Sequence, residues 1–275
     1  MAHRVIAAED VTPELNDYSA PLVIQDLEFH LDLFSRKFLA GLASIHQDTL
    51  LFQFGSRAAA LAKRVGERKA WDVAAGAYRT LGRQAFPGAP HFSKVDSYEL
   101  DFDDLSKSGL LKLIRTYWDQ WIKVGMYWVE HANRLCGEQE MLAISEEHYE
   151  AVCRYQMPKL AELAGVSLDH TIGYVKVNQF GIDATQGYRS VKEIIDDDTV
   201  NVSLYGCDVW GKLRDQGVFD DQEALAMCER EASLCSRLHG FPRNTCVMPK
   251  KPEAGFKGVA PGEPICIMQY KRAAT

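Results

Sequence analysis

The chain lacks an excess of basic residues, any cysteine before Cys136, and any uninterrupted apolar run long enough to span a bilayer. Lysine and arginine number 31 against 38 acids, a formal net charge of −7. A polynucleotide partner needs a basic face, so none is expected. A membrane span needs roughly 18 or more consecutive apolar residues, so none is expected either. The opening residues, MAHRVIAAEDV, meet acids at once and carry no long apolar core, which predicts a cytoplasmic globular protein without a signal peptide. With 47% hydrophobic and 25% charged residues over 275 positions, collagen-like, coiled-coil and disordered classes fall away.

Nucleotide and hydrolase signatures are missing as well. No G-x-G-x-x-G, G-x-x-x-x-G-K-[ST] or G-x-S-x-G occurs, so no nucleotide cofactor is expected. No H-E-x-x-H occurs, and no Glu stands three residues before any of the eight histidines, which removes the usual zinc-protease and di-iron bundle patterns. His148-Tyr149-Glu150 matches half of a zinc-deaminase signature, but no P-C-x-x-C follows it.

What is present divides into three stretches: 1–100, 101–165 and 166–275, the last two reading as one unit. In the first, apolar residues recur at helical spacing from 21 to 66 (Ile24, Leu27, Leu31, Phe34, Leu39, Leu42 and Ile45), with Gly41 and Gly55 as expected breaks. A further helix is expected over 67–84, ending at the turn-forming segment around Pro87 and Pro90. In the second, Ile114, Trp118, Trp121, Gly125 and Trp128 fall on one stripe that stops at Gly137. Another helix, over 145–163, turns Tyr149, Val152, Cys153, Gln156, Met157 and Leu160 inward, with Pro158 as an expected kink. Leu39/Leu110, Leu42/Leu113, Gly66/Gly137, Glu67/Glu138 and Tyr78/Tyr149 are identical pairs 71 positions apart. Either a duplication or the restricted vocabulary of helices would produce that echo.

After Gly165 the period changes. Segments 171–180 and 199–207 are rich in β-branched and aromatic residues and read as strands. A helix is expected from about Asp220, where Asp220 and Glu223 resemble a capping box. A long loop punctuated by Pro242, Pro249, Pro252, Pro261 and Pro264 precedes a last strand over 265–271. The expected fold class is α+β: helix hairpins or a bundle, then a small, mostly antiparallel sheet with flanking helices.

The chemistry is sought among thiols and histidines. Five of the seven cysteines lie in the last 70 residues, and an odd count without an export signal favours reduced thiols. Cys153, Cys228 and Cys235 fit core stripes. Cys207 ends a strand, Cys266 lies in the last strand, and Cys246 sits in a loop with Arg243, Lys250 and Lys251, which would favour its thiolate. Asp119 and Glu130 fit a solvated charge ladder with Arg115 and Lys123. His131 flanks the tryptophan stripe and fits either a structural hydrogen-bonding role or a base. Trp118, Trp121 and Trp128 fit a core, or a stacking surface for a flat ligand.

These residues also carry a resemblance. The helix with Tyr117-Trp118-Asp119-Gln120-Trp121 and Glu130-His131-Ala132, the helix with Glu146-Glu147-His148-Tyr149-Glu150, and Asp198-Thr199-Val200-Asn201-Val202-Ser203-Leu204-Tyr205-Gly206-Cys207 leading to Arg214 and Gly217 come in that order. The stretch 105–270 resembles the L-2-amino-thiazoline-4-carboxylic acid hydrolase family. Cys246 and Cys266 match the family's Pro-rich loop cysteine and final-strand cysteine. Where that loop often reads C-x-x-C-P-P, this chain has Cys246-Val247-Met248-Pro249 and lacks the second thiol. The resemblance implies a hydrolase that opens a ring at a C–N bond of a small polar or heterocyclic molecule. It implies Cys246 as nucleophile or as ligand of a divalent metal, with Cys207 beside it and His131 or His148 moving protons. Tyr117, Trp118, Arg243 and Cys266 would contact substrate. Two other readings stay open: a ligand-binding or redox-sensing module without catalysis, and a helical protein that forms a homodimer through residues 1–100.

Overall fold

A computed structural model describes residues 31–85, 102–183, 190–205, 220–247 and 262–274. Ile24, Leu27, the Pro87–Pro90 turn, Cys207, Arg214, Gly217 and the prolines from Pro249 to Pro261 lie outside the described residues. The architecture is α+β, a helical first part followed by a small antiparallel sheet.

The first part consists of four long helices: α1 (Arg36–Val65), α2 (Glu67–Ala85), α3 (Lys107–Cys136) and α4 (Glu138–Ala164). Helix α1 starts at Arg36 because the Ser35 hydroxyl accepts the Phe38 N–H at 3.2 Å, satisfying one of the unpaired donors of a helix start. It runs unbroken through Gly41 and Gly55, where breaks were expected. At Gly41 the reason is close packing: a Cβ there would stand 2.6 Å from the Leu163 Cδ1 of α4. The expected inward residues of α4 (Tyr149, Val152, Cys153, Gln156, Met157 and Leu160) are all buried, and the helix continues through Pro158.

The 71-residue echo is a structural repeat. A 3-10 turn at Leu31–Leu33 corresponds to one at Phe102–Asp104. The Ser35 cap corresponds to Ser106, whose hydroxyl accepts the Gly109 N–H at 3.1 Å. Helices α1 and α3 are both 30 residues long. Each ends at a glycine of nearly the same backbone conformation, Gly66 at φ 84°, ψ 156° and Gly137 at φ 83°, ψ 169°. The next helix begins one residue later in both cases. Phe54 and Tyr78, each 12 residues from Gly66, bring their ring centroids to 5.9 Å, so α1 and α2 fold back as a hairpin. The two hairpins then cross-pack: Ser56 of α1 meets His148 of α4, while Tyr127 of α3, the counterpart of Ser56, lies against Gly76 of α2.

The second part corrects one expectation outright. Thr171–Asn178 is a helix, α5, although its sequence TIGYVKVN favours strand. All of its residues from Thr171 to Val177 are buried, and a short element enclosed on every side is held by tertiary contacts that outweigh local propensity. The sheet has four strands, β1 (Ser190–Asp196), β2 (Thr199–Leu204), β3 (Arg243–Val247) and β4 (Cys266–Lys271), in the order β1-β2-β4-β3 and antiparallel throughout. Strand β1 carries no clear alternation and was not foreseen. Strand β3 lies within the expected proline-rich loop and pairs with the free edge of β4. Val200, Val202 and Leu204 of β2 share the buried face with Cys266, Met268 and Tyr270 of β4, as their alternation predicts. Helix α6 (Asp221–Leu238) packs on α4 and β3, and the Asp220 carboxylate accepts the Gln222 N–H at 2.8 Å just before it.

The core is continuous from the helices into the sheet: Leu39, Ile114, Trp121, Cys153, Phe180, Val200 and Met268 belong to one buried cluster. A second cluster, with Leu61, Ala74, Val124, Trp128 and Met141, closes the other end of the helical part.

Gly66 and Gly137 both adopt a conformation essentially restricted to glycine. Gly66→Ala and Gly137→Ala are each expected to lower unfolding free energy by about 1–3 kcal/mol in urea titrations. Equal costs at the two sites would follow from their equivalence in the repeat.

Candidate functional site

Polar residues gather inside the helical part, where an apolar filling would be ordinary. On the inward stripe of α1 stand His46, Thr49, Gln53 and Arg57, all buried. Their spacing of three, four and four places them one above another on one helix face. His148 and Ser145 of α4 are also buried.

His46 is fully enclosed. Its Nε2 donates to the Phe180 carbonyl at 2.9 Å, and its Nδ1 accepts the Trp118 indole N–H at 3.2 Å. Burial lowers its pKa from 6.5 to about 4, against a smaller opposing effect of the Phe180 carbonyl. Below it on the same segment, the Asp183 carboxylate accepts from Tyr149 Oη and, at 3.3 Å, from Gln156 Nε2, while Gln156 Oε1 accepts the Ile182 N–H.

His148 is 2% exposed and its Nδ1 lies 2.8 Å from Ser56 Oγ. Ser56 Oγ also lies 3.2 Å from the Gln53 carbonyl, to which it can donate. One arrangement gives every contact a proton: Ser56 donates to that carbonyl, and His148 Nδ1–H donates to Ser56. The Nε2 of His148 then carries a bare lone pair, and it has no hydrogen-bond partner. Burial, followed by the positive charge of Arg57, holds the pKa of His148 well below its usual value, so the ring is neutral at pH 7. The Trp121 ring stands 5.6 Å from it at a 30° tilt. Arg57 reaches α3 at Gly125, where an added Cβ would lie 3.5 Å from Nη2. Gln53, fully buried one turn before Arg57, has no partner for either its Nε2 or its Oε1. Trp128 Nε1 is likewise without one.

The repeat provides an internal control. Positions 71 residues after Gln53, Ser56 and Arg57 hold Val124, Tyr127 and Trp128, and the counterpart of His148 is Ala77. The same helical frame is therefore filled with largely apolar side chains on its other side. The fold does not require polar groups at this interface.

The sequence-predicted residues are dispersed. His148 lies in this cluster, and Trp118 adjoins it through His46. Tyr117 is buried, which pushes its phenol up to about 12. His131 stacks on Tyr127 at 3.9 Å between centroids and donates from Nδ1 to the Tyr127 carbonyl at 2.8 Å. Asp119 and Glu130 form exposed ion pairs with Lys123 and Arg134, the charge ladder expected of that face. Cys266 is buried on the core face of β4. Cys246 lies opposite Met268 in the register and Arg243 opposite Tyr270, and the Cys246 side chain, like all of Cys207, is outside the described residues. Cys153 and Cys235 are buried thiols outside any disulfide that flank the Tyr174 hydroxyl, as core cysteines. Among the described residues, no group of three or more His, Cys, Asp or Glu could hold a metal ion. No helix among them is long and apolar enough to cross a membrane. Gln53, Ser56 and Arg57 escaped the sequence reading, although polar residues at 46, 53 and 57 on an otherwise apolar stripe mark them.

Comparison of the chain with protein-family models, curated proteins and solved structures finds no match.

A histidine kept neutral by burial destabilises the fold wherever the unfolded chain is protonated. Below pH 6.5 the unfolded His46 takes up a proton that the folded one refuses until about pH 4. Stability is therefore expected to fall between those values by about 3 kcal/mol from His46 alone. Urea midpoints at pH 7 and pH 4 measure the loss, and His46→Gln should flatten the slope.

Proposed function

We propose that the protein is an enzyme acting on a small polar or heterocyclic molecule held among α1, α3 and α4, with His148 moving the proton. The observation that carries this reading is the buried, unpartnered Nε2 of His148 beside Gln53 and Arg57, at an interface that the other repeat fills without them. The reaction class, hydrolytic opening of a ring C–N bond, comes from the resemblance over 105–270. In that reaction His148 Nε2 takes a proton from water as its oxygen bonds to the ring carbon. The C–N bond then breaks, and the departing nitrogen takes the proton back from the imidazolium. A lowered pKa keeps the lone pair free at neutral pH. Cys246 remains the thiol that the resemblance assigns to attack or metal binding, with Cys207 and Cys266 as its neighbours.

Turnover of 2-amino-thiazoline-4-carboxylate and of a panel of small heterocycles with a ring C–N bond tests the proposal. His148→Ala is expected to lower kcat about 10²–10⁴-fold, the usual contribution of a positioned acid or base. The acid limb of kcat/KM should lie below pH 6.5, following the depressed pKa of His148. Full activity in Cys246→Ala would remove the thiol from the chemistry. Stabilisation by ligand without turnover would favour the non-catalytic binding module.

A homodimer through residues 1–100 finds its support on α2, where Trp71 and Tyr78 share a face and stay 58% and 55% exposed. Trp71→Glu is expected to shift the mass in solution toward the monomer, as measured by light scattering.

A further inference from the structure

The reading above leaves unsaid what in the substrate is recognised, and the least satisfied side chain in the cluster answers it. Gln53 is fully buried, and both ends of its carboxamide lack partners. An amide buried in that state is destabilising, because water no longer satisfies either end. The counterpart position holds Val124, so the frame tolerates an apolar residue there.

The neighbours of Gln53 follow from the helix contacts. His46 touches Trp118 and Arg57 touches Gly125, so α1 and α3 run in the same direction at this interface. Gln53 stands between His46 and Arg57, opposite the turn of α3 that carries Trp121. Trp121 faces His148, and His148 is bonded to Ser56, three residues from Gln53. Gln53, Trp121 and His148 thus lie on adjoining turns of α1, α3 and α4, all buried in the bundle interior.

We propose that Gln53 binds the edge of a cyclic amide, a ring N–H beside a ring C=O, in the substrate held there. Its Nε2–H donates to the ring carbonyl, and its Oε1 accepts the ring N–H. Among secondary amides only the cis form presents both groups on one edge, and outside proline that form is essentially confined to small rings. An open-chain trans amide points them in opposite directions. A carboxylate, ionised at pH 7, has no proton for Oε1. The inference rests on the proposed function for the place of the substrate. It adds a residue of α1, which lies outside the stretch that carries the family resemblance.

The experiment titrates the full chain with hydantoin, a small ring bearing the cis-amide edge, and with 1,3-dimethylhydantoin, which lacks both N–H groups. Calorimetry and tryptophan fluorescence report binding independently of turnover. Hydantoin is expected to bind at least tenfold more tightly than its dimethyl form. Gln53→Leu and Gln53→Glu, each first shown to be folded by circular dichroism, are expected to lose at least tenfold in hydantoin affinity. Absence of hydantoin binding to the unaltered chain, equal binding of the two rings, or unchanged affinity in both folded variants would overturn the assignment. Binding through Gln53 without turnover of any heterocycle would sink the enzyme reading and leave this one standing. Turnover that depends on His148 but ignores Gln53 would do the reverse.

Discussion

The neutral imidazole of His46 joins the two parts of the molecule. It stands on α1, receives a proton from Trp118 on α3, and gives one to the Phe180 carbonyl beyond α5. The bond to Phe180 is fully buried and the bond to Trp118 partly so. The arrangement works only while the ring is uncharged, because a second ring proton would turn the acceptor Nδ1 into a donor facing the indole N–H. Burial fixes the charge state, and the charge state fixes the register of three elements. A few residues on, Asp183 is held by Tyr149 and Gln156. The sheet in turn packs on α5 and α6 through the apolar core that it shares with the bundle.

Repetition explains why the bundle has room for a polar interior at all. Two hairpins of the same design cross-pack, and the two halves have gone different ways. Around Val124, Trp128 and Ala77 the frame closes with apolar side chains. Around Gln53, Arg57 and His148 it encloses amide, guanidinium and imidazole groups. Stability comes cheaply from the first choice and poorly from the second, since buried polar groups gain only when satisfied. The buried charged and titratable groups stand on one side alone.

Much of the fold was legible beforehand because it depends on periodicity and on glycine. Ile114, Trp121, Trp128 and Ala132 of the α3 stripe, the inward residues of α4, the stops at Gly66 and Gly137, and the alternation of β2 and β4 follow from spacing, whereas Leu135 of the same stripe is exposed. The misread element, α5, shows where spacing fails. TIGYVKVN has strand-forming side chains and no amphipathic face, and its helical state is decided by enclosure, which local sequence does not encode. Strand β3 depends likewise on a partner far along the chain. Of the site, His148 was legible as a histidine flanked by acids, whereas Gln53 was hidden by its ordinariness. A glutamine in a helix is usually a surface residue, and only coordinates reveal that this one is enclosed.

The single-glycine junctions have a consequence for how the molecule meets proteases. Connections between elements in compact domains usually run to about 4–6 residues. Here one residue separates helices on both occasions, so neither hairpin tip offers the extended backbone that a protease must grip. Cleavage at either tip would first require a helix end to unwind. Each hairpin therefore stays covalently whole for as long as it stays folded, and digestion of the native protein must begin elsewhere.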